Sequence, residues 1–152
     1  MKKALVTACM MLILGVAPTH AMAWAEEGSG LDGVWKVSVT VRTCDTGDLI
    51  RNVRAMNLFI HDGSMTETAA SALRSSSVGT WRHLQDRTYE ATFRFFRYTP
   101  DGGFASTAKV MRTITLSDDG RRFTSQGRVE DFDGGGASIS VGCSTETAIR
   151  VD

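Results

Sequence analysis

The chain has 152 residues, 42% of them hydrophobic and 22% charged, with 17 basic and 17 acidic side chains that cancel at neutral pH. That balance lacks the electrostatic footprint of a nucleic-acid partner. Three cysteines and three histidines, widely scattered, offer no metal-ligand spacing.

In chain order, the first element is a leader. Lys2 and Lys3 precede the apolar run Ala4 to Ala17, Pro18 breaks it, and small residues follow at Ala21, Ala23 and Ala25. Charged, then apolar, then small is the order of a secretory signal peptide, read here over 1–25 with cleavage after Ala23 or Ala25. The 14-residue run falls short of the ~20 residues that span a bilayer, so no membrane attachment is expected after cleavage. Cys9 lies too close to the lysines to mark a lipid anchor. Removal of the leader leaves 15 cations, 13 of them arginines, against 17 acids, and an even pair of cysteines, Cys44 and Cys143. In a periplasmic or secreted chain such a pair is read as one disulfide. Residues 26–32 read as a flexible mature N-terminus and 33–152 as a single domain, since no repeat or linker divides it.

Eight segments rich in Val, Thr, Phe and Ile recur between Gly, Asp and Ser clusters, the pattern of antiparallel strands. The first, 33–42, alternates strictly, with Trp35, Val37, Val39 and Val41 on one face and Lys36, Ser38, Thr40 and Arg42 on the other. The others are expected at 55–61, 64–69, 78–84, 88–98, 104–116, 121–132 and 137–151, with a single helical turn allowed at 68–73. Run up and down in order, they place the tight turns 61–64, 84–87 and 117–120 at one end. The connections 43–54, 70–77, 99–103 and 133–136, longer on average, fall at the other.

Eight strands suffice to close a barrel, which removes the free edges of an open sheet. The expected fold is therefore all-β: an eight-stranded antiparallel up-and-down closed barrel, plugged at one end and open at the other. A Cys44–Cys143 bridge would clasp its first strand to its last. If those cysteines lie opposite each other, Trp35 and Val37 share a face with Glu146, Ala148 and Arg150 rather than with Ile139, Val141 and Ile149. A bulge near Gly142 is the expected remedy. The inward set is then Trp35, Val37, Val39, Val41, Leu58, Trp81, Tyr89, Phe93, Phe95, Val110, Ile114, Phe123 and Val129.

Chemical motifs are absent. His61 and His83 have no ligand-spaced neighbours, and no nucleophile elbow or paired catalytic residues occur. The run Gly134 to Gly136 lacks the lysine and helix of a phosphate loop. Asp118, Asp119, Glu130, Asp131 and Asp133 lack calcium-loop spacing. No catalytic residue, metal or cofactor is expected, and the chain is read as a non-enzyme.

Gly33-Val34-Trp35 at the start of the first of eight strands resembles the lipocalins and the wider calycin group. The resemblance implies that Trp35 closes the narrow end of the barrel and that an arginine near the end of the chain, Arg150, covers it. It also implies that the connection 43–54 is the lid loop. The chain is shorter than a lipocalin and lacks its trailing helix, which places it nearer the compact avidin-like members.

Alternation also sets Arg97 and Arg112 on the inward face, beside Phe95. An unpaired buried charge is expensive, so these arginines must find a carboxylate such as Asp131 or Glu146, reach solvent, or meet an anionic ligand. Phe95, Arg97 and Arg112 are accordingly the candidate ligand-binding residues, and Gly33, Trp35 and Arg150 the structural ones. The expected function is to bind a small apolar or amphipathic molecule in the open end. One alternative rests on Leu31-x-Gly33-x-Trp35 followed by Cys44, which is similar to the opening of small periplasmic inhibitors of secreted metalloproteases that act through an N-terminal tail, here Glu26 to Gly30. The other is an enzyme using the barrel pocket, in the manner of allene oxide cyclases or dirigent proteins. Ligand, protein partner and oligomeric state stay open. A cavity of a few hundred Å³ favours the carrier; a packed interior with a protruding ordered tail favours the inhibitor.

Overall fold

A computed structural model describes residues 30–151; the leader read over 1–25, with Cys9, and residues 26–29 lie outside the described residues. Eight strands follow one another: β1 Gly33–Arg42, β2 Leu49–Phe59, β3 Ser64–Ala69, β4 Ser77–Gln85, β5 Thr88–Tyr98, β6 Phe104–Leu116, β7 Arg122–Phe132 and β8 Ser138–Arg150. Each pairs antiparallel with the next, and β1 pairs with β8, so the sheet is a closed up-and-down barrel. All-β alternation, with apolar residues every second position, produces a single inward face.

The lower end is closed by tight turns. Ile60–Gly63, Asp86 and Ser117–Gly120 make them, with positive φ at Gly63, Asp86 and Gly120, as short hairpins require. Above these turns the interior is an aromatic plug. Trp35 packs on Phe123 with ring centroids 4.9 Å apart, and Phe59 meets both Phe123 and Trp81 edge-on. Leu31, Met65, Ile114 and Leu116 fill the spaces between them.

Arg150 holds the plug from below. Its guanidinium carbon lies 4.3 Å from the Trp35 ring centroid, while its nitrogens donate to the carbonyls of Gly30, Asp32 and Gly120. Trp35 in turn donates its indole N–H to the Leu31 carbonyl at 2.9 Å. Gly33 has a φ of 111°, and a Cβ there would stand 3.0 Å from an Arg150 nitrogen; only glycine makes this turn at such close approach. The expectation of a flexible N-terminus through Asp32 is corrected for the described part: Leu31 is fully buried and the Gly30 and Asp32 carbonyls are tied to Arg150.

Four further expectations differ from the structure. The second strand begins at Leu49 rather than 55, because 49–54 pairs with the upper half of β1. The first connection is therefore 43–48, too short for the lid loop that the calycin resemblance implied at 43–54. Leu58 faces outward and Phe59 inward, at 38% and 1% exposure, since Ala55, Asn57 and Phe59 share the inward parity of β2. No bulge at Gly142 resets the β1–β8 register, which runs unbroken from Trp35 opposite Arg150 to Arg42 opposite Cys143; the irregularity on β8 falls at Ile139, against β7, beyond the part that pairs with β1. The apolar residues Ile139, Val141 and Ile149 simply lie exposed, and the inward face of β8 is Ser144, Glu146 and Ala148. No helical turn forms at 68–73, where β3 runs to Ala69 and an irregular segment follows.

Cys44 and Cys143 form the disulfide, with Cα atoms 5.0 Å apart across 99 positions of sequence. The bond runs from Cys143, in the last β1–β8 pair, to Cys44 just beyond the end of β1, and clasps the barrel seam at its upper end.

Candidate functional site

Above the aromatic plug the barrel encloses a cavity of about 330 Å³, open toward the upper connections. Its apolar wall comes from strand positions of inward parity: Val39 and Val41 on β1, Val53 on β2, Phe93 and Phe95 on β5, Val110 on β6 and Val129 on β7. Leu73, from the connection between β3 and β4, leans over the rim. That connection is fastened along β5 by Ser75 N–H to the Phe96 carbonyl and Tyr98 N–H to the Leu73 carbonyl, each at 2.9 Å.

Four arginines enter this apolar space: Arg51, Arg74, Arg97 and Arg112. Arg112 is the deepest. It lies between Val110 and Ile114 on the inward face of β6, its side chain 3% exposed, ion-paired with the fully buried Glu146 and stacked 4.5 Å from the Phe93 ring centroid. Gly127 is its β7 neighbour, and a Cβ at Gly127 would come within 2.7 Å of the Arg112 Cβ and closer still to the Met111 carbonyl; the missing side chain lets the two strands approach closely beside Arg112. Ser125 donates to the second Glu146 oxygen at 2.8 Å. Burial pushes the Glu146 carboxyl above its ordinary range, Arg112 pulls it back, and nearby Glu67 pushes it up again.

Higher up, Arg97 reaches Asp131 at 2.6 Å, and Ser140 donates to the other Asp131 oxygen at 2.9 Å. Arg74 reaches down from the rim to Glu67 at 2.8 Å and also donates to Ser77. The Phe95 ring lies between two guanidiniums, Arg74 at 3.4 Å and Arg97 at 5.0 Å. Burial lowers the affinity of Arg74 for its proton against the pull of Glu67, and burial together with the positive charge of Arg97 does the same to Arg51; guanidiniums stay charged regardless. Arg51 makes no ion pair or hydrogen bond among the described residues. Two polar atoms of the cavity lining, Glu67 Oε2 and Arg112 Nε, are buried without a hydrogen-bond partner in the protein, and so are both polar side-chain atoms of Asn57, inward on β2 between Ala55 and Phe59.

Phe95, Arg97 and Arg112 all line this cavity. Sequence reasoning did not find Arg51, Arg74, Glu67 or Asn57. Glu67 had a visible signal, since Met65, Glu67 and Ala69 share one parity; Arg74 had none, because it enters from an irregular connection. The histidines lie elsewhere. His61 is exposed beside Asp32 at 3.3 Å, and His83 bonds the Asp86 carbonyl at 2.7 Å. Among the described residues no group of three His, Cys, Asp or Glu side chains could hold a metal ion. Asp118 pairs with Arg87, and Asp133 accepts from Gly135 and Ala137 N–H within its own turn. The Gly134–Gly136 run is that turn, with Gly136 at a φ of 85°.

No protein-family model matches the chain, and neither the curated proteins nor the solved structures yield a match. Its functional reading therefore stands on the geometry of the barrel.

Proposed function

We propose that this chain is an exported binding protein whose open-ended barrel takes a small apolar or amphipathic molecule. The observation that carries the reading is the cavity: about 330 Å³ of apolar and aromatic wall above a solid plug, inside the size range of small-molecule sites. Export is part of the proposal. It rests on the leader pattern of 1–25 and on the Cys44–Cys143 bond, which suits an oxidising compartment.

The clamp of Arg150 over Trp35 beside Gly33 is the arrangement that the calycin resemblance implied, and it supports a likeness to that group. The inhibitor reading is less well supported. It calls for a packed interior, where this barrel holds a cavity; of the tail that would act, Glu26 to Gly30, only Gly30 is among the described residues, its carbonyl accepting from Arg150.

Titration of the mature protein with a fluorescent fatty acid analogue, followed by displacement with an unlabelled one, tests the proposal. Saturable binding at one site per chain is expected. Absence of saturable binding by any apolar or amphipathic probe that fits the cavity would overturn it.

A further inference from the structure

The cavity carries more positive than negative charge, and the excess sits at one residue. Of the four arginines that line it, Arg112 is neutralised by Glu146, Arg97 by Asp131 and Arg74 by Glu67. Arg51 has the inward parity of β2, the parity of Ala55, Asn57 and Phe59, and sits on its first turn of pairing opposite Val41, at the mouth. Asp131, the carboxylate whose field acts on it, is already engaged by Arg97 and Ser140. One guanidinium therefore faces the opening with its charge uncompensated by an ion pair.

Below Arg51 the surface changes character. Val39, Val41, Val53, Phe95, Val110 and Val129 form an apolar sleeve, with the neutral Arg112–Glu146 pair beneath it and the equally neutral Arg97–Asp131 and Arg74–Glu67 pairs along its upper side. A site so divided suits a ligand divided the same way, with one acidic head at the rim and an apolar tail in the sleeve. Resting on the carrier reading above, we infer that the ligand is an amphipathic monoanion whose acid group is held by Arg51. A second negative charge would find no uncompensated cation. The volume of about 330 Å³ corresponds to roughly eleven groups the size of a water molecule, so the tail is short, in the range of octanoate rather than a long-chain fatty acid.

Calorimetric titration of the mature protein with octanoate, and with octanol as its uncharged counterpart, tests the inference on three proteins: wild type, Arg51→Gln and Asp131→Asn. Wild type is expected to prefer octanoate by about tenfold or more, the worth of one charge-assisted hydrogen bond. Arg51→Gln should bring octanoate down to the affinity of octanol and leave octanol unchanged. Asp131→Asn releases Arg97 from its partner and should tighten octanoate alone. Because Arg51 stands at the mouth, only partly covered and without an ion pair or hydrogen bond among the described residues, its substitution is expected to leave the melting temperature unaltered, which is checked in parallel. Equal affinity of wild type for octanoate and octanol, or an Arg51→Gln protein that still prefers octanoate, overturns the role of Arg51 and leaves the carrier reading standing. If neither compound binds wild type and the fluorescent amphipath also fails, the carrier reading itself falls, and this inference falls with it.

Discussion

Replacing Arg112 with methionine removes one half of an ion pair whose two side chains are 3% and 0% exposed. Glu146 would keep a single hydrogen bond, from Ser125, inside an apolar shell. Breaking a buried pair from one side costs about 3–5 kcal/mol, whereas replacing both partners with apolar groups of similar size is near neutral or stabilising by ~1–4 kcal/mol. Urea unfolding at pH 7 should therefore show Arg112→Met strongly destabilised and the double variant Arg112→Met/Glu146→Met largely restored. The pH dependence has a definite sign. Burial already raises the folded-state pKa of Glu146 above its ordinary 4.5, and loss of Arg112 removes the main force opposing that shift. The native state then holds the proton more tightly than the unfolded chain does, so stability is greatest below about pH 4.5 and is lost as pH rises through the elevated folded value. The single variant should recover part of its deficit on acidification, measured relative to the double variant. Equal destabilisation of single and double variants, with no pH dependence of the difference, would refute the unpaired-charge argument and leave lost packing as the cause.

Two further perturbations probe the frame around the cavity. The disulfide closes a loop across 99 sequence positions, for which chain entropy predicts about 4.7 kcal/mol before any native strain is subtracted; Cys44→Ser/Cys143→Ser should melt well below the oxidised protein, and an unchanged melt would show that β1–β8 pairing needs no staple. Arg150→Met removes three hydrogen bonds to backbone carbonyls and the contact over Trp35, with an expected loss on the order of 3 kcal/mol and faster amide exchange at Leu31 to Gly33. Exchange at that segment as slow as in wild type would mean that Arg150 does not hold it.

Much of the barrel was legible because its strands alternate cleanly. The strand 33–42, the turns at the lower end and the even cysteine pair were enough to imply closure, and the β5 and β6 boundaries follow from Gly and Asp clusters. Three of the failures share one cause: inward positions that are not apolar. At Leu49 to Arg54 the inward residue at the mouth is arginine while Leu49 and Ile50 lie exposed, so the apolar pattern carries no strand signal. In Ala55 to Ile60 apolar residues occur at both parities, and a buried asparagine, Asn57, breaks the tie in favour of Phe59. On β8 the inward Glu146 answers Arg112 across the interior, whereas Ile139, Val141 and Ile149 face solvent, which made a bulge look necessary. The cavity was legible only in part, since Arg97 and Arg112 follow from alternation but the pairing of Arg74 with Glu67 depends on how an irregular connection folds over the rim.

The claim that matters most is that the upper half of the barrel is a binding site and the lower half is not. Backbone and side-chain NMR spectra recorded while octanoate is added to the mature protein test this position by position. Saturable shifts confined to the cavity are expected, at Arg51, Val53, Phe95, Val129 and Ser144, with the Trp35, Phe59 and Phe123 plug unmoved. Saturable shifts centred on the plug or the outer face, or none at any residue of the cavity, would contradict it.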